Sequence, residues 1–176
     1  MADSAGKSQG KKTVFIVEDH PIFREGLRQL VNSQDDFTVC GETDRVPGTV
    51  EAIRNASPDI IIVDISLQGA SGLELIKEIR HNGIETPIMV LSMHSEEVYA
   101  ERVIKAGGNG FVMKQEPAEN VLGALRQILQ GQIFLSPKMA TRIITQSMGR
   151  RSSLEAVPIV QKLTDRELEV FRMIGQ

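Results

Sequence analysis

Ile60-Ile61-Ile62-Val63-Asp64 holds four β-branched apolar residues and then a carboxylate. A run with no polar face suits a strand covered on both sides of its sheet. Three other short runs end in a similar way. Thr13-Val14-Phe15-Ile16-Val17 runs into Glu18-Asp19, Ile88-Met89-Val90-Leu91 into Ser92, and Phe111-Val112-Met113 into Lys114. As parallel strands, these runs would gather three carboxylates, a hydroxyl and an ammonium along one edge of one sheet. That combination is what Mg2+-assisted phosphoryl transfer to an aspartate needs.

Working outward, strands are predicted at 13–17, 37–42, 60–64, 87–91 and 109–113. Amphipathic stretches follow them at 21–33, 46–56, 72–81, 95–105 and 117–130. In the first, Phe23, Leu27, Leu30 and Val31 share a helical face, and Pro21 suits the first turn. Ser95 can cap its helix, with Glu96 and Glu97 complementing the N-terminal dipole. The stretch 46–56 rests on Val46, Val50 and Ile53 alone. Strands alternating with helices predict an α/β fold, a doubly wound parallel sheet of five strands with helices on both faces. Residues 37–42 mix Thr, Cys and Gly with Val, which places that strand at an edge. In such sheets the ligand site lies beyond the strand C-termini, where strand order reverses. Glu18, Asp19 and Asp64 then stand side by side if strands one and three are neighbours.

The 176 residues accommodate one ordinary domain and a remainder. Trp is absent and Tyr99 is the only tyrosine, so aromatic stacking on nucleic acid is not suggested. The single Cys40 excludes an internal disulfide and fits a reducing compartment. No apolar stretch approaches the roughly 20 residues that span a bilayer. No membrane association is expected, and the cytoplasm is the expected location. The net charge of −3 hides a division. Residues 13–130 carry 18 acidic against 10 basic side chains, whereas 131–163 carry five basic ones against Glu155.

Residues 1–12 are rich in Ser, Gly and Lys and are expected to be a disordered tail. Residues 131–163 read as a linker, in which Pro137, Met139, Ile143 and Ile144 could start a short helix. Thr164 and Glu167 have capping-box spacing, and Leu163 with Leu168 fits a hydrophobic staple. A helix over 164–176 would expose Leu168, Phe171 and Ile174 on one face with nothing in the sequence to cover them. The chain is therefore expected to be a piece of a longer protein.

Asp64 is the expected phosphoacceptor, because phosphoryl transfer asks mainly for positioning and charge neutralisation. Asp19 and Asp64 could bind Mg2+ directly, with Glu18 acting through water and the Ser66 carbonyl as a further ligand. Lys114 would pair with phosphoryl oxygens as a point charge. The Ser92 hydroxyl and the Met93 backbone N–H are further candidate donors to the phosphate. Each signal alone is common in loops, but together they mark four strand ends of one topology. His20, His81 and His94 are scattered, and no transition-metal site is expected among them. Gly107-Gly108-Asn109-Gly110 precedes a strand and reads as a tight turn rather than a phosphate cradle.

Residues 13–130 resemble the receiver domain of bacterial two-component response regulators. The resemblance rests on Val17-Glu18-Asp19-His20, Ile62-Val63-Asp64-Ile65, Ser71-Gly72-Leu73-Glu74-Leu75, Leu91-Ser92-Met93 and Ala106-Gly107-Gly108-Asn109-Gly110-Phe111-Val112-Met113-Lys114. It implies a flavodoxin-like fold with strand order 2-1-3-4-5. It also implies that Glu18 and Asp19 are the acidic pair, Asp64 the phosphoacceptor, Ser92 the switch hydroxyl, Phe111 the switch aromatic and Lys114 the phosphate-contacting lysine. Ser66 and His94 occupy positions that tune how fast water reaches the acyl phosphate in this family. Residues 163–174 resemble the opening helix of a LuxR-type helix-turn-helix, as in the NarL/FixJ-like subfamily of transcriptional regulators. The implied partners are a sensor histidine kinase, a second copy on phosphorylation, and DNA for a full-length parent but not for this chain. Two departures stand out: Gln68 and Gln115 occupy positions where many receivers have proline.

Other classes compete. An aspartyl-phosphate phosphatase usually has a second acid two residues after its nucleophile, and here that position is Ser66. A receiver-like interaction module that is never phosphorylated would not need the complete polar set. A dinucleotide or flavin site would want glycine where Glu18-Asp19-His20-Pro21 stands.

Overall fold

The computed structural model describes residues 10–148. Five strands, β1 (Lys12–Val17), β2 (Phe37–Thr43), β3 (Ile60–Asp64), β6 (Ile88–Ser92) and β7 (Gly110–Met113), form one parallel sheet in the order β2-β1-β3-β6-β7. A two-residue pair, β4 (Ser66–Leu67) and β5 (Ala70–Ser71), forms an antiparallel hairpin after β3. The helices are α1 (Pro21–Asn32), α2 (Thr49–Ala56), α3 (Gly72–His81), α4 (Glu96–Ala106), α5 (Ala118–Leu129) and α6 (Pro137–Met148). Numbering the sheet strands in chain order gives 2-1-3-4-5, the flavodoxin-like order.

Strand side chains alternate between two cores, as the two-residue period of a strand requires. Phe15, Val17, Ile61, Val63, Ile88, Val90 and Phe111 face one way, under residues of α2, α3 and α4. Val14, Ile16, Ile60, Ile62, Met89, Leu91 and Val112 face the other way, under α1 and α5. Both faces of the central strands are therefore dry, which explains why Ile60–Val63 is apolar throughout. β2 is at an edge and its pattern is mixed, with Cys40 exposed.

Most predicted boundaries lie within a residue or two of the observed ones, with one larger shift. The stretch expected to be helical from residue 46 becomes helix at Thr49. Gly48 takes a left-handed φ of 82° just before it, and the Thr49 N–H closes a turn on the Val46 carbonyl at 3.0 Å. A glycine adopts that φ without a Cβ penalty. Ser95 caps α4 as expected, its hydroxyl accepting from the Glu97 N–H at 3.3 Å. The loop after β3 closes without proline at 68, because Gly69 at φ 71° turns the hairpin.

The segment after α5 docks on the domain. Phe134 pairs with the β7 edge: its N–H donates to the Asn109 carbonyl and its carbonyl accepts from the Phe111 N–H, both at 3.0 Å. The Ser136 N–H then donates to the Glu96 carboxylate at 2.7 Å, and Lys138 pairs with Glu97. Met139 is 1% exposed and joins Tyr99, Ala100, Val103 and Phe111 in one core cluster. The expected short helix is thus twelve residues long, with its first turn in the core. Met139→Ala should lower stability by about 2–5 kcal/mol, the range for a buried long apolar side chain cut to Ala. Ile22→Ala, at a residue 89% exposed, should change it by no more than about 0.5 kcal/mol. Urea unfolding of both variants checks this, and equal midpoints would mean that α6 does not hold its seat.

The expected disordered tail lies outside the described residues up to position 9, as does everything after 148. The later part of the linker and the expected helix over 164–176 therefore have no structural description. Among the described residues no helix is long and apolar enough to cross a membrane.

Candidate functional site

Register builds the site. β1 pairs with β3 so that Val17 faces Val63, and the next residues, Glu18 just past β1 and Asp64 at the end of β3, come side by side at the same edge. β3 pairs with β6 and β6 with β7, which brings Ser92 and Lys114 to the same edge. The Lys114 N–H donates to the Ser92 carbonyl at 2.8 Å, tying the ends of β6 and β7.

Lys114 is the hub of the pocket. Its Nζ is 2.8 Å from Asp64 Oδ2 and 2.7 Å from Glu18 Oε2, and its side chain is 4% exposed. The ammonium also lies 4.5 Å from the centre of the Phe23 ring, in a cation–π contact that steadies a dehydrated charge. Asp64 Oδ1 accepts from the Ser66 N–H at 3.2 Å. Burial raises the Asp64 pKa to about 6; the hydrogen bond from Lys114 opposes that rise, and the neighbouring Glu18 charge adds to it. Arg24 donates to the Glu18 carbonyl at 2.6 Å and fixes the turn out of β1.

The remaining site residues surround this centre. Ser92 is fully buried, and its hydroxyl accepts from the His94 N–H at 3.0 Å. The Ser66 hydroxyl and His94 Nε2 are 2.8 Å apart, so these two side chains touch each other across the pocket mouth. The His94 ring also stacks on Tyr99, with centroids 5.6 Å apart. Phe111 is buried in the cluster that includes Tyr99 and Met139. The Met93 side chain points outward, which leaves only its backbone N–H for the role expected of it.

The sequence reading assigned no site role to Phe23 or Gly72. Phe23 sits in the first turn of α1, where its helical spacing marks it only as core-facing; its position just after an acidic loop is the available signal. Gly72 is there because of a close approach. A Cβ on it would stand 2.1 Å from the Asp64 carbonyl oxygen, so only glycine lets α3 start against the end of β3.

The donor set fits Mg2+. Glu18 Oε2 and Asp19 Oδ1 are buried, and among the described residues neither accepts a properly directed hydrogen bond, despite nearby Lys114 and His20 nitrogens. Oxygens held by ion pairs without a directed hydrogen bond can turn a lone pair to a cation. Glu18, Asp19 and Asp64 supply hard carboxylate oxygens, the ligands this ion prefers. Together with a ring nitrogen of His20, their ligand atoms lie within 4.8 Å of one another.

The family model described as the response regulator receiver domain matches residues 14–126. Among curated proteins, the nitrate/nitrite response regulator NarL of Escherichia coli K12 is 29% identical over 169 residues, covering 96% of this chain and 77% of that protein. The oxygen regulatory protein NreC of Staphylococcus carnosus is 30% identical over 170 residues, covering 93% and 76%. Among solved structures, a LuxR-family two-component response regulator from Aurantimonas sp. SI85-9A1 aligns with a TM-score of 0.71 at 29% identity, covering 78% of this chain and 99% of that one. The receiver domain of RcsB from Salmonella enterica, solved with the phosphomimetic BeF3−, aligns at 0.65 and 25% identity, covering 72% and 94%.

Proposed function

Because this chain belongs to the response regulator receiver family, we propose that Asp64 accepts a phosphoryl group from the phosphohistidine of a sensor kinase. The observation that carries the reading is Lys114 Nζ, held between Asp64 and Glu18 inside a buried pocket. A carboxylate oxygen of Asp64 forms the new P–O bond as the donor's P–N bond breaks. The released imidazole nitrogen takes up a proton. Lys114, already dehydrated and positioned, meets the phosphoryl oxygens without further ordering. Glu18, Asp19 and Asp64 would hold Mg2+, with the Ser66 carbonyl as a further ligand. When bound, the ion supplies positive charge to the transferring group.

Asp64 is then consumed and regenerated, so it is a reactant rather than an enzyme turning over substrate. Ser92 and the Met93 N–H are the further phosphate donors in this reading, and Ser66 with His94 limits the approach of water. For Ser92 to reach the phosphate, its hydroxyl must give up the His94 N–H, and Phe111 moves into the space behind it. Phe111 shares its cluster with Met139, which supports a path from the phosphate to α6. Residues 13–130 would be the receiver, 131–163 the linker, and 164–176 the opening of a helix-turn-helix whose complete form binds DNA. This is a two-state element biased by new charge and hydrogen bonds. A homodimer on phosphorylation and a cytoplasmic location belong to the same reading.

Acetyl phosphate supplies the test. With Mg2+, intact mass should show one added phosphoryl group that hydroxylamine removes, and a chelator should abolish the gain. No gain at saturating donor and Mg2+ would instead favour an interaction module that is never phosphorylated.

A further inference from the structure

Arg80, in the last turn of α3, puts its whole guanidinium fork to use. Nε and Nη2 donate to the Gly107 carbonyl at 3.0 and 2.8 Å, and Nη2 also donates to Asn109 Oδ1 at 3.2 Å. Nη1 donates to the Ile84 and Thr86 carbonyls at 2.6 and 2.9 Å. Every N–H of the group is thus engaged, and none of the acceptors is a carboxylate. A half-buried cation has been spent on joining three pieces of backbone. One of them, Gly107, is the C-cap of α4, where the helix dipole favours positive charge. We propose that Arg80 is the pivot of α4: it fixes the C-terminal end of that helix to α3 and the sheet, so that a change at the pocket swings the N-terminal end and, with it, the start of α6. The proposal deepens the phosphoacceptor reading and rests on it.

The two ends of α4 are held unequally. At the C-terminal end Gly107 takes a φ of 99°, and the Gly108 N–H closes on the Val103 carbonyl at 2.8 Å. A Cβ on Gly107 would stand 2.9 Å from Arg80 Cγ, so the arginine stem packs directly on the cap. Asn109 then ties the turn to β6 in both directions: its N–H donates to the Ile88 carbonyl at 2.7 Å, and its Oδ1 accepts from the Ile88 N–H at 3.0 Å. These bonds are directional and numerous, and a cation takes part in them.

The N-terminal end has no such anchor. Its side-chain contacts run to the start of α6: Glu96 accepts the Ser136 N–H at 2.7 Å, and Glu97 pairs with Lys138 at the surface. An exposed pair of that kind holds weakly. Between the ends, Tyr99, Ala100 and Val103 face the core, and apolar contacts resist tilting less than hydrogen bonds do because they have no direction. Ser92, at the pocket, precedes Glu96 by only four positions. A shift there reaches the loose end first, while the far end stays in the Arg80 fork.

The fork also fixes where movement stops in the following segment. The Phe134 N–H donates to the Asn109 carbonyl, on the anchored side, whereas Ser136 is held by Glu96 on the free side. The boundary between still and moving backbone therefore falls between Phe134 and Ser136. Lysine at position 80 would keep the charge and lose the fork, since its donors radiate from one atom and cannot span Gly107, Ile84 and Thr86 together.

The experiment measures amide hydrogen exchange by NMR on the full chain, native and Arg80→Lys, in Mg2+ alone and in Mg2+ with beryllofluoride. 19F resonances report whether the phosphate mimic is bound. In native protein the mimic should speed exchange over 136–140 by about tenfold and leave Phe134 and 103–109 within about twofold. In Arg80→Lys the mimic should still bind, 103–109 should exchange faster with or without it, and its effect on 136–140 should fall below about threefold. Equal changes at both ends of α4 in native protein overturn the pivot without recourse to any variant. So does an Arg80→Lys protein that exchanges faster throughout but keeps the full response at 136–140, because Arg80 then only adds stability. Bound beryllofluoride with no change over 136–140 sinks the pivot and leaves the pocket reading standing. If the mimic does not bind native protein, the pocket reading fails and this inference fails with it.

Discussion

Asp64→Asn is expected to abolish phosphoryl gain from acetyl phosphate and, at alkaline pH, to make the protein more stable. Both effects come from one buried carboxylate. Its pKa is pushed up to about 6 from an ordinary 3.8, and burial is the largest cause. Between those values the native state binds a proton that the unfolded chain has released. The stabilisation from protonated Asp64 is therefore complete below about pH 4 and lost as pH rises through about 6. At about pH 8 the ionised group costs about 3 kcal/mol, since one pKa unit is worth about 1.4 kcal/mol. Asn keeps the shape and carries no charge, so it should recover most of that difference at pH 8 and little near pH 4. Urea unfolding at both pH values reads the stability, and intact mass reads the phosphate. A variant that still gained a labile phosphoryl group would end the assignment of Asp64. A variant less stable than native at both pH values would mean that the Lys114 pairing outweighs the burial cost.

Lys114→Met should be the more damaging change. It leaves Glu18 and Asp64 buried at one spot without their cation, and breaking a buried pair from one side typically costs about 3–5 kcal/mol. The pH dependence is the signature. Without Lys114 the Asp64 carboxyl moves still further up, so the deficit should be largest in alkali and should shrink as the carboxyls protonate. Combining Asp64→Asn with Lys114→Met should restore much of the loss, because one of the two stranded charges is then gone. Added Mg2+ should also rescue the single variant, since a ligand of the native state stabilises it by mass action. Thermal unfolding of the three variants with and without Mg2+ measures all of this. A Lys114→Met deficit independent of pH would indicate lost packing against Phe23, not unpaired charge.

Residue order was enough to establish the sheet and the inventory of its polar edge. Ile60–Val63 cannot be a half-exposed strand, because it has no polar face. Once the runs are parallel strands, the residues that end them must collect at one edge. Glu18, Asp19, Asp64, Ser92 and Lys114 were legible for that reason, and the helix caps were legible because caps are local. Packing settled what spans long distances in the chain. Lys114 meets Asp64 across 50 positions and Met139 reaches the cluster under Phe111, and no period or spacing encodes either contact. The same holds for Phe23 beneath the ammonium and for the His20 ring turned toward Asp19. Periodicity reports which face of an element is apolar; which partner covers that face, and which charges share a buried space, depend on how all the elements close together.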